Sequence, residues 1–346
     1  MRTIPLLLAA AALLGPGTAR AMTGNPGGAT AQFLRVGPNA RALGMGEAYG
    51  PIAEGAAAIY WNPAGLAQMK GPELAYSHAE MLRFFHHDYI AYAHPVAALG
   101  GTLGGSANFF YQDSMPLVTN TNEQVGTFRP HSEAYTLAYA RSLQVGDENM
   151  AMDRRYFQEL WTLPRATKPL EHGNEMWVGD LMVGGALKLI YEQIHTQSAT
   201  SLAFDGGVIF RPAETPEFSL SFALLNVGTR PRFHTKTEGL PAEANIGAAY
   251  NFLWSGNRFL PAVEVSVPYY GRPSGKLGFE YSTMITESSA MSFRLGYKSL
   301  TLPELDYLTG LTGGIGFALR QISLDLAFQP MSVLGESYRG TLSYRF

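Results

Sequence analysis

A chain of 346 residues with a net charge of −3 and no cysteine lacks the basic excess of an electrostatic nucleic-acid binder. It also lacks disulfides, thiolate metal centres and cysteine nucleophiles. Its 38 Gly beside 19 Phe and 18 Tyr, with only 15% charged residues, combine very small and very large side chains.

In chain order, Arg2 precedes an apolar run over residues 6–14 that is too short to cross a bilayer as a helix. Gly15, Pro16 and Gly17 break that run, and Ala19-Arg20-Ala21 offers the small-x-small pattern of a signal-peptidase site. A signal peptide over residues 1–21, cleaved after Ala21, is the expectation. Residues 22–71 do not alternate; they are rich in Gly, Ala and Pro with short apolar helical stretches such as residues 53–59. We read them as an N-terminal plug.

From residue 72 the pattern changes to a period of two, which means strands, because successive side chains point to opposite faces. Leu277, Phe279 and Tyr281 oppose Lys276, Gly278 and Glu280; Phe293 and Leu295 oppose Arg294 and Gly296; Ile315, Phe317 and Leu319 oppose Gly314, Gly316 and Ala318. One face is large and aromatic. The other is small, Gly-rich and charged with both signs. That combination predicts an all-β, transmembrane antiparallel β-barrel over residues 72–346, its large face toward lipid and its small face toward a partly filled lumen. The predicted strands are 73–81, 85–94, 101–112, 132–142, 180–194, 201–211, 217–227, 242–252, 258–268, 275–284, 290–298, 312–320, 322–329 and 338–346. Their even number places both termini on the periplasmic side of a bacterial outer membrane. Leu342, Tyr344 and Phe346 end the chain on an aromatic strand residue, as in the assembly signal of outer-membrane proteins, so lipid and the barrel-assembly machinery are expected partners.

Residues 143–179 form a long connection on what strand parity makes the periplasmic side. Asp147-Glu148-Asn149 could start a helix there, with Phe157, Leu160 and Trp161 at roughly helical spacing as a candidate docking face. The alternative is that this segment folds under the barrel and closes it.

Several stretches together resemble one family. Phe33-Leu34-Arg35-Val36-Gly37, then Ala40-Arg41-Ala42-Leu43-Gly44-Met45-Gly46-Glu47-Ala48, then Ile59-Tyr60-Trp61-Asn62-Pro63-Ala64-Gly65-Leu66 are similar to the PorV/PorQ family. That family is related to FadL-type fatty-acid transporters, which carry a comparable Asn-Pro-Ala element in a hatch. Gly184-Gly185-Ala186-Leu187-Lys188, Ala203-Phe204-Asp205-Gly206-Gly207-Val208, Asn226-Val227-Gly228 and Leu324-Asp325-Leu326-Ala327-Phe328 extend the resemblance through the barrel. It departs at Glu54-Gly55, where the family usually has two adjacent acids. Gly44, Gly46, Asn62, Pro63, Ala64 and Gly65 form the plug motif, expected to fold the plug against the wall: Asn62 can make a local side-chain turn and Pro63 ends what precedes it.

Chemistry is sparse. No nucleophile elbow, phosphate-cradling loop or zinc-protease motif is present, so no catalytic residue, metal site or cofactor is expected. On a strand, His86 and Asp88 point one way and His87 the other, which opposes joint chelation. Lys188, Glu192, Asp205, Glu264, Glu280, Arg294, Asp325 and Arg345 should face the lumen, either pairing plug with wall or lining a polar path. Three functions remain open, none involving nucleic acid. The resemblance places first a secretion or export accessory with a periplasmic or secreted protein partner. A passive transporter of hydrophobic small molecules and a structural scaffold are the alternatives.

Overall fold

The computed structural model describes residues 28–145, 179–233, 236–299, 307–332 and 335–346. The expected signal segment, residues 1–21, lies outside the described residues, as do residues 146–178 of the expected insertion, with Phe157, Leu160 and Trp161.

Fourteen antiparallel strands form the wall: β1 (Glu73–Met81), β2 (Phe85–Val96), β3 (Gly101–Gln112), β4 (His131–Val145), β5 (Gly179–Ile194), β6 (Gln197–Pro212), β7 (Phe218–Gly228), β8 (Glu243–Tyr250), β9 (Asn257–Pro268), β10 (Ser274–Thr286), β11 (Ser289–Lys298), β12 (Leu311–Leu319), β13 (Ile322–Pro330) and β14 (Glu336–Arg345). Each pairs with its sequence neighbours, and β1 pairs with β14, so the sheet closes without a free edge. Closure removes the free edges whose unpaired backbone groups would be costly in hydrocarbon. All fourteen strands expected from alternation are present. The largest boundary difference is at β6, which begins at Gln197, where Ser198 and Thr200 replace the apolar alternation.

The two faces divide as the period-two pattern requires. Leu137, Leu187 and Leu295 point outward and are 73%, 66% and 62% exposed, while Ala138, Ala186 and Arg294 beside them are buried. Apolar surface costs roughly 25 cal/mol per Å² in water, and a belt of this extent running around the whole wall marks lipid contact.

The end where β1 starts and β14 finishes is here the near end, and the opposite end the far end. The first described residues lie at the far end, where Ala29 bridges Gly239 of the β7–β8 connection and Thr30 donates its hydroxyl to Glu192 near the tip of β5 at 2.7 Å. The chain then descends through the lumen and joins β1 at the near end. The described N-terminal residues are therefore at the rim opposite Arg345, not beside it as strand parity had implied. Parity counts strands only, and the plug adds one further traverse inside the barrel.

Helical structure in the plug is limited to short turns: Gln32–Arg35, Ala40–Gly44, Gly50–Ile52, Ala58–Trp61 and Pro63–Gln68. The expected helical stretch over 53–59 is confined to its last residues, because Gly55 adopts φ +66° and ends any helix there. Met45, Tyr49, Ile59, Trp61 and Leu66 pack against inward alanines of the wall, including Ala75, Ala93, Ala138 and Ala186. Small wall residues make room for large plug residues. The closest approaches are at Gly296 of β11 and Gly207 of β6, where a Cβ would lie 1.9 Å from the Gly46 amide nitrogen and from Asn62 Oδ1.

Candidate functional site: the plugged lumen and a bulge in its wall

The plug is tied to the wall by buried charge. Arg41 donates from Nε to Glu280 Oε2 at 2.8 Å and from Nη2 to Oε1 at 3.0 Å, and pairs with Glu54 of the plug itself. Glu280 also accepts from Arg294 Nε at 2.6 Å; Arg294 continues to Asp325 at 2.7 Å, and Arg258 stands 3.7 Å from Glu280. Three cations thus face three carboxylates. A second tie joins Glu47 to Lys298 at 2.8 Å, and a third brings the Gly50 amide to Glu264 at 2.7 Å. Burial opposes ionisation of Glu47 and Glu54, yet Lys298 beside the first and Arg41 beside the second outweigh it and hold both carboxyls below their usual range. Glu47 also carries φ +62°, strained for a residue with a side chain, at the point where the plug meets β10 and β11.

Asn62 occupies the start of the Pro63–Gln68 turn. Its Oδ1 accepts from the Ala64 amide at 3.1 Å, and its Nδ2 donates to the Val208 carbonyl at 3.3 Å. The local turn read from Asn-Pro is present, with a wall contact added. Gly44 lies against Arg294 and Gly314, Gly46 against β10 and β11, and Gly65 against the Ala53 carbonyl. At the departure from the family pattern, a side chain on Gly55 would meet the Glu73 carboxylate, which accepts from the Ala56 amide at 3.0 Å.

Of the expected lumenal charges, Lys188 pairs with Asp205 at 2.8 Å, and Glu264 with Lys276 at 2.8 Å. Glu192 holds Thr30 and the Ala31 amide, and Arg345 pairs with Glu73 at the exposed near rim. Leu342, Tyr344 and Phe346 face outward, the last two rings edge to face at 4.8 Å. His87 is buried inside, whereas His86 and Asp88 are outside, where Asp88 accepts from Tyr76 and Tyr111. Among the described residues no group of His, Asp or Glu could hold a metal ion.

Above the plug, toward the far end, lies a small open-mouthed cavity of about 50 Å³. Leu34, Tyr60, Trp61, Leu225 and Pro268 supply its apolar side; Arg35, Glu47, Lys188, Glu243, Lys276 and Lys298 supply the other. Beside it the ladder between β6 and β7 is broken: Leu225 and Asn226 together oppose Asp205, and both turn inward. This β-bulge is a built feature. Asn226 takes φ +58°, its amide donates to Asp205 Oδ1 at 2.7 Å, and its own Oδ1 accepts from Lys188 Nζ at 2.6 Å. Outside, Phe204 lies over Gly185 and Gly206, where the wall carries no side chain. Alternation alone missed this bulge. The signal was the Asn-Val-Gly end of β7, where two consecutive residues, Leu225 and Asn226, share a face. Arg41 and Glu47 were also missed as plug ties, because residues 22–71 have no periodicity from which to read direction.

No protein-family model matches the sequence, and no curated protein matches it. Solved structures do. The toluene transporter TodX of Pseudomonas putida superposes with a TM-score of 0.50 at 10% identity, over 89% of this chain and 96% of that one. A FadL homologue of Pseudomonas aeruginosa gives 0.51 at 12% identity over 89% and 98%. The toluene transporter TbuX of Ralstonia pickettii gives 0.51 at 11% identity over 90% and 98%. At such identities the likeness is one of fold: the chain is a plugged transmembrane barrel built on the architecture of these proteins.

Proposed function

We propose that the protein is a passive transporter of hydrophobic small molecules in the bacterial outer membrane. The observation that carries this reading is the cavity with its apolar side on Leu34, Tyr60, Trp61 and Leu225, set against a break in the wall at Asn226. The shared fold of two toluene transporters supports it. An apolar solute entering at the far end would rest above the plug and leave sideways at the bulge into the lipid. Barrels in this membrane keep their short turns periplasmic, and the connections 213–217, 287–288 and 320–321 at the near end favour that end as the periplasmic one.

The secretion or export role expected first, of PorV type with a protein partner, keeps one observation. Residues 146–178 make a long connection at the end where the other connections have two to six residues. The comparisons favour transport over it. The test is uptake of a labelled monoaromatic hydrocarbon by cells with and without the gene, and with Asn226 deleted to restore a regular β6–β7 ladder. Uptake should fall in both mutant strains. Equal uptake with and without the gene would end the transport reading.

A further inference from the structure

We propose that the inner wall around Arg339 is a binding site for a small monovalent anion of the halide class. The inference is independent of the transport reading. Arg339 points inward from β14 and is 4% exposed, and its Nε and Nη1 have no hydrogen-bond partner among the described residues. Two residues earlier on the same face, Ser337 is equally buried and its hydroxyl is also unpartnered. Arg339, Ala79 and His87 lie in one row across β14, β1 and β2. The small Ala79 stands between the two in that row. His87 Nε2 meets the Asn108 amide at 2.6 Å while its Nδ1 has no partner.

Charge defines the ligand. Glu47 of the plug is the carboxylate that acts on Arg339, and it is already committed to Lys298. One buried positive charge is left without its own counter-charge, an expensive state that a single negative charge relieves. Arg339 does not line the lumenal cavity, so the head group of a bulky amphiphile held there would not reach it. A monatomic anion needs no such access and takes donors from more than one direction, as the Arg339 guanidinium and the Ser337 hydroxyl provide.

The experiment uses the full chain refolded in detergent. Thermal unfolding is followed in chloride, in bromide and in isethionate at one ionic strength, so that screening is constant. Crystals grown in bromide are examined by anomalous scattering. The midpoint should rise with chloride or bromide over isethionate, and a bromide peak should lie against Arg339 and Ser337. Arg339→Met should remove the halide dependence and the peak. In isethionate this variant should fold at least as stably as the parent, because it no longer buries an unpaired charge. Ser337→Ala should weaken the dependence without abolishing it. A midpoint indifferent to halide, or a dependence unchanged in Arg339→Met, would overturn the site. Stabilisation by sulfate or phosphate alone would overturn the monovalent assignment.

Discussion

Replacing Glu280 by Gln removes the wall carboxylate that Arg41 of the plug and Arg294 of the wall share. Glu280 is 1% exposed and accepts three guanidinium bonds, two from Arg41 and one from Arg294. After the change, Arg41, Arg258 and Arg294 face only Glu54 and Asp325. Two like charges a few ångströms apart repel by roughly 4 kcal/mol at an effective dielectric of 20, and breaking one side of a buried pair costs about 3–5 kcal/mol. Much of that cost falls on the seating of the plug, because Arg41 keeps only Glu54, itself partly exposed. The barrel ladder is untouched. In planar bilayers the Glu280→Gln protein should conduct more than the parent, while still migrating as a folded, heat-modifiable barrel. Arg294→Gln is the control: it leaves Arg41–Glu280 in place, so thermal stability should drop with the plug still closed. If Glu280→Gln gives the parent's conductance and protease pattern while its barrel stays folded, the plug is not held by this cluster and the reasoning fails.

Other consequences are simpler to read. Gly296→Ala puts a methyl group into the Gly46 backbone, an overpacking worth about 1–3 kcal/mol, and limited proteolysis should find the plug more accessible while the barrel persists. Leu187→Arg, at mid-height on the outer face, should destabilise folding into bilayers by about 2–4 kcal/mol, whereas Leu253→Arg near the rim should cost about 0–1 kcal/mol. Equal costs at the two positions would contradict the lipid belt. Because Glu47 and Glu54 titrate below the usual carboxyl range when folded, their ties are fully present above about pH 4.3 and weaken as pH falls through their folded values. Conductance should therefore rise only in acid and stay flat between pH 5 and 8.

The wall was legible because a single physical rule governs it. Leu277, Phe279 and Tyr281 must meet lipid while Lys276, Gly278 and Glu280 must not, so alternation betrays strand, face and closure at once. The plug obeys no such rule. Ala53 to Ile59 looked helical by composition, yet Gly55 is shaped by Glu73, a residue eighteen positions away whose carboxylate fills the space a side chain would need. The bulge at Asn226 was hidden for a related reason: its causes are Asp205 and Lys188 on two other strands, and only register brings them together. The same holds for the position of residue 29 at the far rim, which depends on how the plug threads a lumen that strand counting does not see.

Lipid outside takes the large apolar residues of the strands, so the lumen is left with small and charged ones, and the plug must be held by close approach and ion pairs. This has a consequence for any apolar solute on the proposed route. Passage straight down the lumen would cross the Arg41–Glu280–Arg294 cluster, where every displaced tie leaves a charge buried alone. Passage sideways at Asn226 meets a ladder already interrupted, closed on the outside by Phe204 above two glycines. Moving one ring costs far less than separating a buried triad of charges. A lateral exit therefore lets the plug stay seated during transport, and a Cys pair introduced at Gly44 and Gly314, whose backbones touch, would staple plug to wall in a chain that has no other cysteine. Uptake should survive that staple; its loss on oxidation, restored by reductant, would mean that the plug itself has to move.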